Sequence, residues 1–337
     1  MEDMIKIALD AMGGDNAPDA NIQGAVEAVN TSNNIKVFLV GQEEVIIPKL
    51  EKFTYDKNRI EVVNAREVIA TDDPPVKSIR QKKDSSIVVG MTMVRKGQAD
   101  AFVSAGSSGA VLVGGQIVVG RIRGIERAPF AAVIPTANGV SLLLDSGANV
   151  DARASHLVQF AKMGSIYMEN IMNVKNPSVA LVNIGAEEEK GNMLVKETFP
   201  ILKNSPDINF IGSIEAREIP FGNADVIVCE AFVGNVILKL YEGLGSMFLG
   251  KIKESFMKNT KSKIGALLVK DSLKTTLKTF DSSAYGGAPL LGLKGLVVKS
   301  HGNSTKKEIK NSILQCEQFV SQRTNEKIQS LLLNKAL

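Results

Sequence analysis

Residues 5–18 read IKIALDAMGGDNAP. The run Ile5 to Leu9 suits a short strand, and Asp10 with the pair Gly13 and Gly14 makes the polar, glycine-rich turn that ends one. Past Pro18, Ile22, Ala25, Val26 and Val29 recur at helical spacing, and Lys36 to Val40 is strand-like again. Strand, turn, helix and strand in that order predict a crossover unit. The alternation continues with strands expected at 60–63, 101–104, 131–134, 141–144, 179–183, 209–211 and 225–228, so the chain reads as doubly wound α/β. Only Pro135 to Gly139 separates the strands at 131–134 and 141–144, too little for a crossover. These two predict a hairpin and therefore a mixed sheet. Near the C-terminus Ile309, Ile313, Cys316 and Val320 mark a helix behind the capping box Thr305-x-x-Glu308. With no repeat and no low-complexity linker, residues 1–337 read as a single α/β unit of two closely joined lobes.

A length of 337 residues with 44% hydrophobic content suffices for a full core and excludes a disordered chain. Forty Lys plus Arg against 36 Asp plus Glu leave a net charge of only +4, and aromatics are 5% with no Trp. Neither a polyanion-binding field nor a base-stacking surface follows, so no nucleic-acid partner is expected. Cys229 and Cys316 lie far apart in apolar contexts, which excludes a disulfide framework and points to the reducing cytosol. The N-terminal residues do not resemble a secretion signal, and no apolar run approaches about 18 residues, so no membrane span is expected. The strongest local charge lies at 251–280, where eight lysines face only Glu254 and Asp271.

Five expected strands end in glycine-containing polar turns: Asp10–Pro18, Ser104–Ala110, Asp145–Asn149, Asn183–Asn192 and Glu230–Asn235. In an open α/β sheet the carboxyl ends of parallel strands line one edge, and ligands bind there. Glycine lets backbone amides approach a ligand, and a following helix favours negative charge at its N-terminus, so several such turns suggest an anionic substrate. No G-x-G-x-x-G follows a strand, which argues against a dinucleotide. GSMFLGK at 245–251 fits most of a phosphate-binding P-loop, but Ile252 stands where Ser or Thr would hold magnesium. His156 and His301 form no metal-binding pair, and His301 reads as a capping or surface histidine. No metal and no cofactor is expected.

The motifs IALDAMGGDNAP, IRQKKDSS (79–86), ADAFVSAGSSGA, LVNIGAEEEKGN, GNVILKLYEG and YGGAPLLGLKG occur in the order and spacing of the bacterial phosphate acyltransferases of the PlsX family. The chain resembles that family over essentially its whole length. The resemblance implies a three-layer α/β/α sandwich with a mixed sheet, shared with isocitrate and isopropylmalate dehydrogenases and with phosphotransacetylases. It implies a homodimer that converts acyl-[acyl carrier protein] and inorganic phosphate into acyl phosphate and free acyl carrier protein. The product would supply bacterial phospholipid synthesis through a membrane glycerol-3-phosphate acyltransferase. Departures from the family pattern fall at Ser107 and Ser108, usually Asn and Thr, at Glu230 and Ala231, usually Asp-Gly, and at Ser213 to Ala216, usually Asn-x-Glu-Gly.

For that reaction positioning and charge management dominate, because phosphate is already an anion. Lys190, which opens a turn fixed by Asn192, is the candidate to bind phosphate and offset charge. Asn235 is the candidate oxyanion donor, since a neutral amide neither titrates nor needs a counterion. Asp10, Gly13, Gly14, Asp15 and Asn16 are expected to form the first wall of the cleft, with the two carboxylates organising lysine side chains or the phosphate's protons rather than binding bare phosphate. Lys83, Ser104, Gly106, Ser107, Ser108, Gly109, Asn149, Asn183 and Gly185 complete the expected substrate-binding set. Alternatives are a phosphate acetyl- or butyryltransferase using acyl-CoA and a noncatalytic membrane-surface scaffold. Residues 236–280 are expected to form a helical pair making dimer contacts. Over 264–280, Ile264, Leu267, Leu268, Val269, Leu273, Leu277 and Phe280 border Lys263, Lys270, Lys274 and Lys278. A turn around Gly265 to Val269 would carry this stripe to an anionic membrane surface, making a cytoplasmic, peripherally membrane-associated protein.

Overall fold

The computed structural model describes residues 4–279 and 282–333. In chain order the elements are β1 (Ile5–Asp10), α1 (Asp19–Thr31), β2 (Ile35–Gly41), α2 (Glu43–Leu50), β3 (Ile60–Asn64), α3 (Pro75–Gln81), α4 (Ser86–Arg95), β4 (Ala101–Ser104) and α5 (Ser108–Gly114). The hairpin β5 (Ala131–Thr136) and β6 (Gly139–Leu144) follows, then α6 (Ala154–Ile171), β7 (Ser178–Asn183), α7 (Met193–Lys203), β8 (Asn209–Glu215) and β9 (Val226–Val228). The chain continues through α8 (Ala231–Met257), α9 (Thr260–Thr279), β10 (Ala288–Pro289), β11 (Leu296–Lys299), α10 (Lys306–Ser321) and α11 (Thr324–Leu333).

Two ladders result. The first runs β10-β11-β4-β1-β2-β3 and is parallel except at β10; the second runs β5-β6-β9-β7-β8 and is parallel except at the hairpin. The expected hairpin is present, with Ala131 opposite Leu144 and Thr136 opposite Gly139. The mixed sheet therefore has two hydrogen-bonded parts, with an isolated antiparallel bridge between Phe130 and Leu290 where they meet. Pro129 and Pro289 stand beside that bridge, and neither has an N–H to extend a ladder across it.

Alternation along the strands feeds two faces. Ile7 and Leu9 of β1 and Val37 and Leu39 of β2 join a core that continues through Leu142, Leu144, Val226 and Val228 of the second ladder, so one apolar layer spans both. Helices α1, α6, α7 and α10 cover it, with Ile22, Phe160, Phe199 and Ile313 buried there. Ala8, Phe38 and Phe102 point the other way, against Ile79, Ile87, Met91 and Val111 of α3, α4 and α5. Over the second ladder that outer face is covered by the start of α8. The result is three layers, helix on sheet on helix.

Beyond its first turns α8 leaves this body and pairs with α9 in an exposed antiparallel hairpin. The turn expected around Gly265 to Val269 is not there. Helix α9 runs straight through those residues, and the reversal falls at Lys258–Asn259, where Asn259 Oδ1 accepts from Ser262 N at 2.8 Å and caps α9. Leu267 and Leu268 are 71% and 81% exposed on α9. Phe280 and the side chain of Lys278 from the expected stripe lie outside the described residues. The P-loop-like 245–251 stretch is helical within α8. Among the described residues no helix is long and apolar enough to cross a membrane.

Candidate active site

The carboxyl ends of β4, β11, β6 and β9 meet at a cleft of about 500 Å³ between the two ladders, lined by Ser108, Gly147, Asn235, Lys239, Lys299 and His301 among others. On one side the lining is the 300–304 stretch, and the 10–18 turn lies behind it without lining the cleft itself. Asn21 Nδ2 donates to the carbonyls of Asp10, Ala11 and Gly13 at 3.0–3.1 Å, and buried Asp10 Oδ2 accepts from Ser104 Oγ at 2.7 Å. A Cβ on Gly13 would lie 2.2 Å from Asp10 Oδ2 and 2.7 Å from Gly106 N, so these two turns touch only because both carry glycine. Asp15 N donates to Gly302 O at 2.7 Å, and Asn16 Nδ2 donates to the carbonyls of Asn303 and Ser304 at 3.0 and 3.2 Å. Asn16 thus braces the 301–304 wall.

The opposite wall rests on Asp145. Its buried carboxylate accepts from the backbone N–H groups of Phe130, Gly147, Ala148 and Asn149 and from Asn149 Nδ2, at 2.7–3.1 Å. Asn149 is consequently a framework residue, donating also to Ala128 O. Helix α8 packs on this turn through Gly234, where a Cβ would sit 1.9 Å from Asp145 O. The Glu230 carboxylate caps α8 by accepting from Val233 N at 3.1 Å, so Asn235 is free of that duty and its exposed side chain faces Gly147. The Glu230 departure keeps a carboxylate at the N-cap.

Of the expected site residues, Ser108 and Asn235 line the cleft. Asp10, Gly13, Ser104 and Gly106 pack against one another behind its wall, Gly14 lies against Ala105 and Gly302, Ser107 caps α5, and Gly109 abuts Pro75. The 183–192 loop stands apart from the lining residues. There Asn183 Nδ2 donates to Lys190 O and Ser213 Oγ, Asn192 Oδ1 caps α7, and Lys190 Nζ, folded over Gly185, pairs with Glu187 at 2.8 Å. Lys83 Nζ donates to Ile79 O at the end of α3. Lys190 and Asn235 are therefore not brought into contact in this conformation.

Lys239, Glu242 and Lys299, to which the sequence reading gave no role, also line the cleft, as does His301, read there as a capping or surface histidine. His301 faces the cleft with Nε2 3.5 Å from Lys239 Nζ and Nδ1 2.6 Å from Asn303 Oδ1. Burial pulls the Lys299 amine down to about 8; Asp10 and Asp15 oppose that shift and Lys239 reinforces it. The clue to Lys299 was a cation closing the aliphatic run 296–298 just before a Ser-His-Gly turn. Burial and the charges of Asp145 and Glu230 push the Cys229 thiol well up, so it is no thiolate nucleophile. A broader concavity of about 860 Å³ opens beside the Asp145 turn, lined by Arg121, Arg127, Arg153, Asp151 and the His156–Glu126 pair. Among the described residues no group of three His, Cys, Asp or Glu side chains could hold a metal ion.

Comparison with known proteins joins this geometry to a family. The family described as Fatty acid synthesis protein matches residues 5–327. The chain is 52% identical over 324 residues to a phosphate acyltransferase of Alkaliphilus oremlandii, covering 96% of each. The chain belongs to the phosphate acyltransferase family. A phosphate acyltransferase of Clostridium novyi is 46% identical over 333 residues, covering 99% of this chain and all of that one. The class is thereby a transferase of lipid synthesis, as the motifs implied. Phosphotransacetylases from Staphylococcus aureus and Streptococcus pyogenes share the fold, each with a TM-score of 0.61 over 94% of both chains, at 16% and 18% identity.

Proposed function

We propose that the cleft moves an acyl group from acyl-[acyl carrier protein] to inorganic phosphate, forming the acyl phosphate that feeds bacterial phospholipid synthesis. The observation that carries this reading is the pairing, in one cleft, of two lysines, Lys239 and Lys299, with the neutral amide of Asn235. A phosphate oxygen attacks the thioester carbonyl carbon, the new C–O bond forms, and the C–S bond breaks. The proton of hydrogen phosphate ends on the departing sulfur, so acyl phosphate and free thiol account for every atom. Asn235 donates to the carbonyl oxygen as negative charge gathers there. Lys190, on the 183–192 loop outside the cleft lining, adds positive charge to the surroundings of the anion. The leaving thiol, with a pKa near about 8.5, departs without a strong acid. The protonated Cys229 supports direct attack by phosphate, with no acyl-cysteine on the way.

Arg121, Arg127 and Arg153 beside the cleft suit an acidic carrier protein as donor. The exposed apolar residues of the α8–α9 hairpin support a homodimer and contact with anionic lipid, where a membrane glycerol-3-phosphate acyltransferase would take the product. Purified protein offered acyl-carrier thioester or acyl-CoA with phosphate should form acyl phosphate at a far higher kcat/KM from the carrier. Preference for short acyl-CoA would assign it to the acetyl- or butyryltransferase class instead.

A further inference from the structure

Lys299 closes β11, which lies between β10 and β4 in the first ladder, and its amine is held at the cleft by two backbone carbonyls, those of Ala105 and Ser300. Among the described residues no carboxylate lies within ion-pair distance of it, whereas Lys239 is paired with Glu242 at 2.8 Å and Lys190 with Glu187. The charged groups around it come from every neighbouring element. Asp10 of β1 and Asp15 of the next turn act on it electrostatically, as does Lys239 of α8. Glu242, His301 and Glu308 share its cleft. Asp10 is already satisfied by Ser104 Oγ and Met12 N, so it offsets charge at a distance without occupying the ammonium's remaining donor.

We infer that Lys299 is the residue that holds the attacking phosphate, its ammonium donating to a phosphate oxygen from the floor of the cleft while Lys239 and His301 flank the same anion. This deepens the phosphate acyl-transfer reading and rests on it. A half-buried ammonium without a bound counterion is the costly arrangement that an incoming anion relieves. Such a site also has a built-in pH limit, because burial pulls the amine down to about 8. As pH rises through that value the ammonium is lost and phosphate loses its partner. Arginine stays charged throughout this range.

The test uses the whole purified chain, with an acyl-carrier thioester and inorganic phosphate, comparing wild type with Lys299→Met and Lys299→Arg. Loss of a hydrogen bond to a charged partner predicts that Lys299→Met raises the KM for phosphate roughly 10- to 100-fold while the KM for the acyl donor holds. It should also abolish the rise in thermal midpoint that phosphate gives the wild type. The wild-type kcat/KM for phosphate should fall above about pH 8, and that fall should vanish in Lys299→Arg. An unchanged phosphate KM in a folded Lys299→Met protein, or a pH profile identical in wild type and Lys299→Arg, would overturn the assignment. A wild type that binds phosphate through Lys299 but makes no acyl phosphate would instead refute the acyl-transfer reading and leave the anion site standing.

Discussion

Asn235 and Lys190 show how far single residues can be read from sequence. Both sit on expected strand-end turns, yet Asn235 reaches the cleft while Lys190 stands apart from it on the 183–192 loop, paired with Glu187. If Asn235 is the oxyanion donor, Asn235→Ala should lower kcat by about 10²- to 10³-fold with the thermal midpoint unchanged, since its side chain is exposed. Lys190→Ala should also lower kcat, with phosphate KM raised in step; normal turnover in both variants would remove these two roles. Asp10 and Asp15 act electrostatically on Lys299, which is remote from them in sequence. Sequence order hides such pairs because β11 enters the first ladder beside β4 only after the whole second ladder has been laid down. For His301, read as a capping or surface residue, the place at the cleft was not legible, because the Asn16 brace on residues 303 and 304 is a long-range contact.

Periodicity served well at the level of elements wherever strands were aliphatic runs bounded by turns. The strands β1 to β9 and the capping box of α10 were legible in this way, Glu308 Oε2 accepting from Thr305 N at 2.8 Å. The two-residue β10 carries no periodic signal, and β11 has four residues behind a glycine-rich stretch. The placement of α8 depends on Gly234, whose missing side chain admits the Asp145 carbonyl. Gly234→Ala should therefore cost about 1–3 kcal/mol of stability or more and lower activity too, because Asn235 and Lys239 ride on the same helix. Gly243→Ala, later in α8 with open space at its Cβ, should stabilise by about 0.5–1 kcal/mol. Paired denaturant titrations decide it, and equal effects at the two glycines would mean that α8 does not lean on Asp145 as described.

For the molecule as a whole, two ladders share one apolar layer, the cleft opens where they meet, and an apolar helical hairpin stands clear of both. Composition made the exposed hairpin foreseeable through its lysine excess, but not its tip, because the Asn259 cap that sets the reversal outweighs the lone glycine at 265. Polar replacement of Leu267, Leu268 and Val269 should abolish sedimentation with anionic liposomes while turnover in solution persists; unchanged sedimentation would assign those residues to protein contacts alone. Lysine contributions of about 1 kcal/mol each make that binding reversible and salt-sensitive. The central claim is that the cleft joins phosphate to an acyl group. Phosphorus NMR of the purified chain incubated with acyl-carrier thioester and inorganic phosphate tests it most directly. An acyl phosphate resonance should grow as free carrier thiol appears in equal amount, and Asn235→Ala should suppress it; thiol release with no acyl phosphate, or no reaction in folded protein, would rule this chemistry out.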